Sequence, residues 1–124
     1  ADELKKQGIS VEVIDPRTIR PLDEDAILKS VAKTGHLIVA DTSWEMCGFS
    51  SEVAALVAEK GFYSLKAPVR RIALSNCPTP VSKSLEDVFY PKASTLANAV
   101  LSLLNIEQSS VSGIDRVDLF KGPY

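Results

Sequence analysis

The sequence predicts an α/β domain, a mainly parallel sheet with helices packed on both faces. Segments with apolar residues at helical spacing alternate with short β-branched runs, and that alternation is the pattern of a parallel sheet with crossover helices. One of the short runs, His36-Leu37-Ile38-Val39-Ala40, is almost continuously apolar, as strands covered on both faces are. A chain of 124 residues with 45% hydrophobic and 24% charged residues has the size and balance of one globular core.

The elements follow in order. Residues Ala1 to Gln7 read as a helix, with Gly8 placed to end it in a left-handed conformation. Ile9-Ser10-Val11-Glu12-Val13-Ile14 alternates apolar and polar residues and predicts a strand, stopped by Asp15-Pro16. After the connection Arg17–Leu22, Asp23 is an N-cap, and Glu24 and Asp25 suit the positive end of the helix dipole. Ile27, Leu28, Val31 and Ala32 form that helix's apolar face, and Gly35 closes it. The apolar strand then runs to Asp41, and Thr42 to Phe49 is a loop. Ser50 or Ser51 starts a helix with Val53, Leu56 and Val57 on one face, ending at Gly61. A loop to Pro68 leads to a third strand, Val69 to Leu74. Pro78 and Pro80 keep Ser75–Ser84 irregular. Leu85–Tyr90 reads as a helical turn, and Ser94 as the cap of a last helix carrying Leu96, Val100, Leu103 and Leu104. The domain is therefore expected over residues 1–104, followed by a polar tail over 105–124. The aromatic end of that tail, Phe120 to Tyr124, is either a frayed terminus or a strip that docks on a neighbouring chain.

The expected order is α-β-α-β-α-β-α. The chain opens in a helix with no strand feeding it, although a βαβ unit requires one, so upstream sequence is expected. The opening residues ADELKKQG contain no apolar signal core, so an intracellular protein is expected if nothing has been removed upstream.

Charge and composition exclude several roles. A net charge of -2, with Arg70-Arg71 as the nearest basic cluster, gives no surface for nucleic acid. No apolar run reaches the roughly 20 residues that span a bilayer, so no membrane partner is expected. Cys47 and Cys77 fall in different loops and form no CxxC pair, so they read as two free thiols. The single histidine, His36, is not spaced with either cysteine as zinc ligands are.

Some residues have two readings. Asp41, at the carboxyl end of a strand, is either a ligand contact or general base, or a cap that bonds local N–H groups; the cap is favoured. Gly48-Phe49-Ser50-Ser51 opens a helix, where an anion is held by main-chain N–H groups, but it lacks both GxGxxG and GxxxxGK[ST], so a tight turn is favoured. His36 reads as a structural histidine. Cys47 has no base in reach to make it a nucleophile. Trp44, Phe49 and Phe62 are either core residues or anchors at a subunit interface. These residues form no catalytic constellation.

Gly8-Ile9-Ser10-Val11-Glu12-Val13-Ile14-Asp15-Pro16-Arg17-Thr18-Ile19-Arg20-Pro21-Leu22-Asp23 resembles the G-I-x-x-E-V-I-D-L-R-T-x-x-P-L-D signature of the transketolase C-terminal domain. Within that family it is most similar to the β subunit of thiamin-diphosphate-dependent 2-oxoacid dehydrogenases. Lys33–Asp41, Gly48–Val53, Ala67–Ile72, Pro78-Thr79-Pro80 and Leu85-Glu86 resemble further family segments in the same order. There are two departures. Cys47-Gly48-Phe49-Ser50 stands where the family usually has Gly-Gly-Phe-Gly, and the family's strand before the first helix, which lies inside the sheet, is missing.

The resemblance implies a three-layer α/β/α domain lacking its first strand. It also implies an assembly and docking role with no complete active site in this chain. Thiamin diphosphate and magnesium would belong to the parent enzyme, and this domain alone would bind no cofactor; the GDG motif that holds the diphosphate and its metal is missing here. The implied partners are the α subunit, a second β subunit and the binding domain of the dihydrolipoyl acyltransferase. Leu65, Ala67, Pro68, Val69, Arg70, Arg71 and Tyr124 match the docking positions. Asp41, Trp44, Gly48, Phe49 and Ser50 are the candidates for a subunit interface or anion contact. The implied location is the cytoplasm, or the mitochondrial matrix in a eukaryote. The alternatives are the corresponding domain of a transketolase or deoxyxylulose-phosphate synthase, and a stand-alone small-ligand regulatory module.

Overall fold

The computed structural model describes residues 1–106. The polar tail and its aromatic end, Tyr124 included, lie outside the described residues. The elements are α1 (Asp2–Lys6), α2 (Glu24–Thr34), β1 (Ile38–Trp44), α3 (Phe49–Lys60), a 3-10 turn (Phe62–Ser64), β2 (Arg70–Leu74), α4 (Lys83–Phe89) and α5 (Ala93–Leu103). The two strands pair in parallel, with α3 as the crossover. Ile38 faces Arg70, Val39 faces Arg71 and Ala40 faces Ile72; an irregularity then resets the register to Trp44 opposite Leu74.

Local chemistry explains α2. The Asp23 carboxylate accepts from Ala26 N–H at 3.0 Å. At the other end Gly35 sits at φ 76°, left-handed, and its N–H reaches Val31 C=O. Gly8, at φ 79°, closes α1 in the same way.

The apolar residues form two clusters. In the larger, Ile27 and Val31 of α2 meet Val53, Leu56 and Val57 of α3, and Leu37 and Val39 pack against them. In the smaller, Leu4 of α1 meets Ala97 and Leu101 of α5, and Ile9 and Val11 pack against them. Successive strand side chains point to opposite faces, so Leu37 and Val39 face α2 and α3. Ile38 and Ala40 point to the other side, where α5 contacts the strand. The described residues thus have the α/β/α layering of the expected fold, with a middle layer of two strands among them, a partial α/β/α domain.

The largest correction concerns Ile9–Ile14. It carries a strand pattern but forms no strand, so the observed order is α-α-β-α-β-α-α. Among the described residues, no backbone–backbone hydrogen bond involves positions 10 to 15. Val13 is left 74% exposed and Ile14 38%. A strand pattern records which side chains suit a sheet, but a strand exists only when a neighbour completes its ladder.

Smaller corrections have similar causes. β1 does not stop at Asp41 but continues to Trp44, and it is half-buried with Ala40 exposed, not covered on both faces. α3 begins at Phe49 with Gly48 as its cap, not at a capping serine. α5 begins at Ala93, one residue before Ser94, and the Thr95 hydroxyl accepts from Lys92 N–H at 3.2 Å. No helix among the described residues is long and apolar enough to cross a membrane.

Candidate functional site

The end of β1 and the start of α3 bring Asp41, Trp44, Gly48, Phe49 and Ser50 into one corner. Asp41 is its centre. One carboxylate oxygen accepts from Ser43 N–H at 3.1 Å. The other accepts from the Ser43 hydroxyl and from Ser50 N–H, the latter at 3.2 Å. Asp41 therefore caps α3 from across the loop. Partial burial pushes its pKa up, but the hydrogen bonds from the Ser43 side chain and from the Ser43, Ser50 and Thr42 backbones outweigh that and hold it below its ordinary value of 3.8.

Gly48 is required by the close approach of its neighbours. A Cβ there would overlap the Trp44 carbonyl oxygen and the Ser43 hydroxyl. Cys47, just before it, sits at φ 58°, the left-handed region where glycine is at ease and other residues are strained. Ser50 is fully buried, and its hydroxyl has no hydrogen-bond partner among the described residues. Both departures from Gly-Gly-Phe-Gly thus fall at positions where a side chain is costly.

Of the three aromatics with two readings, Phe49 packs against the larger cluster. Trp44 is 53% exposed and Phe62 is 61% exposed. Phe62 makes an edge-to-face pair with Tyr63 at 5.6 Å, and Tyr63 is fully exposed. The sequence reading passed over Tyr63. Its signal was an aromatic pair directly after a helix-ending glycine, where no core position was called for.

The segment 65–71 divides in two. Leu65 and Val69 turn inward onto the larger cluster, and Ala67 is half-buried. Pro68 and Arg70 face outward. Arg70 donates to the Ser102 hydroxyl at 3.0 Å, tying β2 to α5. Arg71 is half-buried and reaches the corner around Asp41: it donates to Glu45 C=O at 2.6 Å and to the Ser51 hydroxyl at 2.8 Å. The structure thus links Arg71 with the β1–α3 corner, while Leu65–Arg70 stand apart from it.

His36 is locally satisfied, its Nδ1 lying 3.0 Å from Thr34 C=O. Cys47 and Cys77 are free and exposed. No group of three or more His, Cys, Asp or Glu among the described residues is placed to hold a metal. A diphosphate with its magnesium does not fit this corner. The anion position at the start of α3 is taken by the chain's own Asp41 carboxylate, and a second anion there would be repelled.

The fold and this corner define a class: a layered α/β domain whose strand-end loop is built for local capping. Residues 1–96 match the family model for the transketolase C-terminal domain, and the chain belongs to that family. It is 44% identical over 104 residues to the acetoin:2,6-dichlorophenolindophenol oxidoreductase subunit beta of Bacillus subtilis, covering 84% of this chain and 30% of that protein. It is likewise 44% identical over 104 residues to the mitochondrial pyruvate dehydrogenase E1 component subunit beta of Saccharomyces cerevisiae, covering 83% of this chain and 28% of that protein. The corresponding subunit of Leifsonia xyli is 43% identical over 100 residues, with coverage of 81% and 29%. The chain therefore spans less than a third of the length of these curated relatives.

Proposed function

We propose that this chain is the assembly and docking domain of the β subunit of a 2-oxoacid dehydrogenase decarboxylating component. The observation that carries the reading is the 44% identity to relatives named as β subunits. In the parent enzyme, thiamin diphosphate and magnesium would support decarboxylation and acyl transfer to a lipoyl group. This domain would supply surfaces toward an α subunit, a second β subunit and the acyltransferase's binding domain. The cytoplasm or the mitochondrial matrix is the matching location; the yeast relative is named as mitochondrial.

The chemistry of the surface supports a protein-facing role. Phe62 and Tyr63 project outward within the same stretch of chain as Pro68 and Arg70, combining aromatic area with a guanidinium, the pairing enriched at interface centres. On α4, Leu85 is 59% exposed and Val88 84% exposed, and Val81 just before the helix is 96% exposed. Apolar side chains grouped this openly mark contact surfaces.

The test is calorimetric titration of the chain with a purified peripheral binding domain of a dihydrolipoyl acyltransferase. Saturable binding is expected, weakened about tenfold or more by Arg70→Glu, since reversing a charge at a charged contact costs over ~1.4 kcal/mol. No binding by the wild-type chain sinks the docking role. Binding untouched by Arg70→Glu moves the docking surface away from β2.

A further inference from the structure

The two cysteines leave the same end of the sheet at matching positions. Trp44, the last residue of β1, stands opposite Leu74, the last residue of β2. Beyond them the two chains stay joined. Glu45 N–H donates to Leu74 C=O at 3.0 Å. Met46 N–H donates to the Asn76 side-chain oxygen at 3.2 Å, across 30 positions of sequence. The next residue on each side is a cysteine. Cys47 and Cys77 thus continue the register that pairs Trp44 with Leu74.

Both chains then turn at once. Cys47 sits at φ 58°, where the chain swings back into α3. Cys77 N–H donates to Ser75 C=O at 2.7 Å, a tight turn centred on Asn76. The turns keep both thiols beside the strand ends. Cys47, Trp44, Leu74 and Thr79 line one cavity of about 380 Å³, so there is open space between the two loops. Both cysteines are free and exposed, and the chain has no third thiol to compete.

We infer that Cys47 and Cys77 are a redox pair, forming a reversible disulfide that fastens the start of α3 to the segment after β2. Opposite positions of neighbouring strands lie about 4.8 Å apart, and a disulfide joins Cα atoms about 4.4–6.8 Å apart. Register alone therefore brings the pair near bonding range. The remaining adjustment falls on positions 78 to 81, which make no backbone–backbone hydrogen bond among the described residues. The oxidant is a small disulfide of the glutathione type. One cysteine thiolate attacks it, forms a mixed disulfide and releases one glutathione thiolate. The second cysteine thiolate attacks the protein sulfur of the mixed disulfide, forms the Cys47–Cys77 bond and releases the second glutathione. The two protein thiols lose two protons and two electrons, and the glutathione disulfide takes up both and leaves as two thiols. The structure holds the dithiol form. In the disulfide form the chain leading to the exposed Val81 and Leu85 is pinned to the corner around Asp41. The pairing does not depend on the docking role, because it follows from the two strand ends alone.

The 124-residue chain is equilibrated with mixtures of reduced and oxidised glutathione and quenched in acid. Remaining thiols are alkylated, and the peptides are mapped by mass. A bond between Cys47 and Cys77 within one chain is expected. Its effective concentration is the squared glutathione thiol concentration divided by the glutathione disulfide concentration at half oxidation. That value should be at least about tenfold higher in the native chain than in concentrated guanidinium chloride, because the fold holds the two thiols together. Cys47→Ser and Cys77→Ser, both at exposed positions, should each stop at one glutathione adduct. A native value no higher than that of the denatured chain overturns the inference. So do wild-type glutathione adducts on both cysteines that never convert to the cross-link, and disulfides found only between chains.

Discussion

Replacing Asp41 by alanine removes three hydrogen bonds at once and uncouples the end of β1 from the start of α3. The acceptor is lost for Ser43 N–H, the Ser43 hydroxyl and Ser50 N–H. Loss of a helix cap alone costs about 0.5–2 kcal/mol. A hydrogen bond to a charged acceptor contributes about 1.5–3 kcal/mol when well buried. Asp41 is only half-buried, so the low end applies, and relief of its desolvation subtracts further. The expected net loss is about 2 kcal/mol for Asp41→Ala and about 1 kcal/mol for Asp41→Asn, which keeps one acceptor oxygen. In urea, followed by far-UV circular dichroism, a slope of about 1.5 kcal/mol per M turns the alanine loss into a midpoint lower by about 1.3 M. The pH dependence follows from the lowered carboxyl pKa. Just below its ordinary value of 3.8 the unfolded chain takes up the proton first, so stability rises with pH in that window. The carboxylate's contribution is whole above 3.8 and is lost as the pH falls through the lower folded value. The gap between wild type and Asp41→Asn should therefore narrow on acidification. A gap that widens, or two variants as stable as wild type, would refute the capping role.

The other predictions concern the same loop. Ser50→Ala should stabilise the chain by about 1 kcal/mol, because it deletes a buried hydroxyl with no partner; a lower urea midpoint would show that the hydroxyl is bonded after all. Cys47→Gly should gain a few tenths of a kcal/mol, left-handed strain relieved less the entropy glycine gains when unfolded, whereas Cys47→Val should cost about 1 kcal/mol; thermal melts showing the reverse order would contradict the strain assigned to φ 58°. Gly48→Ala should cost about 2 kcal/mol or more, since the added carbon meets a backbone oxygen that cannot swing aside; an unchanged melting temperature would mean that the loop has room to rearrange.

What the sequence made legible was local. Asp23 and Gly35 bracket α2 because a cap oxygen and a left-handed glycine act within one turn of their own position. The start of α3 was misread for the converse reason: its capping oxygen comes from Asp41, across a loop, and no window around Ser50 contains it. The same bond explains why β1 runs past Asp41. A carboxylate inside a strand looks like a terminator until a neighbouring helix end supplies its hydrogen bonds. The candidate corner was read residue by residue, but its unity was not, because Arg71 enters it from β2 through Glu45 and Ser51.

Ile9–Ile14 marks the limit most clearly, and it connects the fold with the family. Its residues belong to the segment that most resembles the transketolase C-terminal signature, and they alternate as a strand should. The structure nonetheless leaves them without a ladder. Propensity and periodicity are properties of the segment, whereas pairing belongs to the segment and its neighbour together. Ile9 and Val11 still settle on Leu4, Ala97 and Leu101, so the side-chain half of the strand's information is expressed. The main-chain half is not, and what is left is an exposed Val13 and a cavity in the sheet layer. The two hydrophobic clusters therefore lie on either side of an incomplete middle layer. The α1–α5 cluster has only three buried side chains, Leu4, Ala97 and Leu101, and is held to the rest mainly through α5.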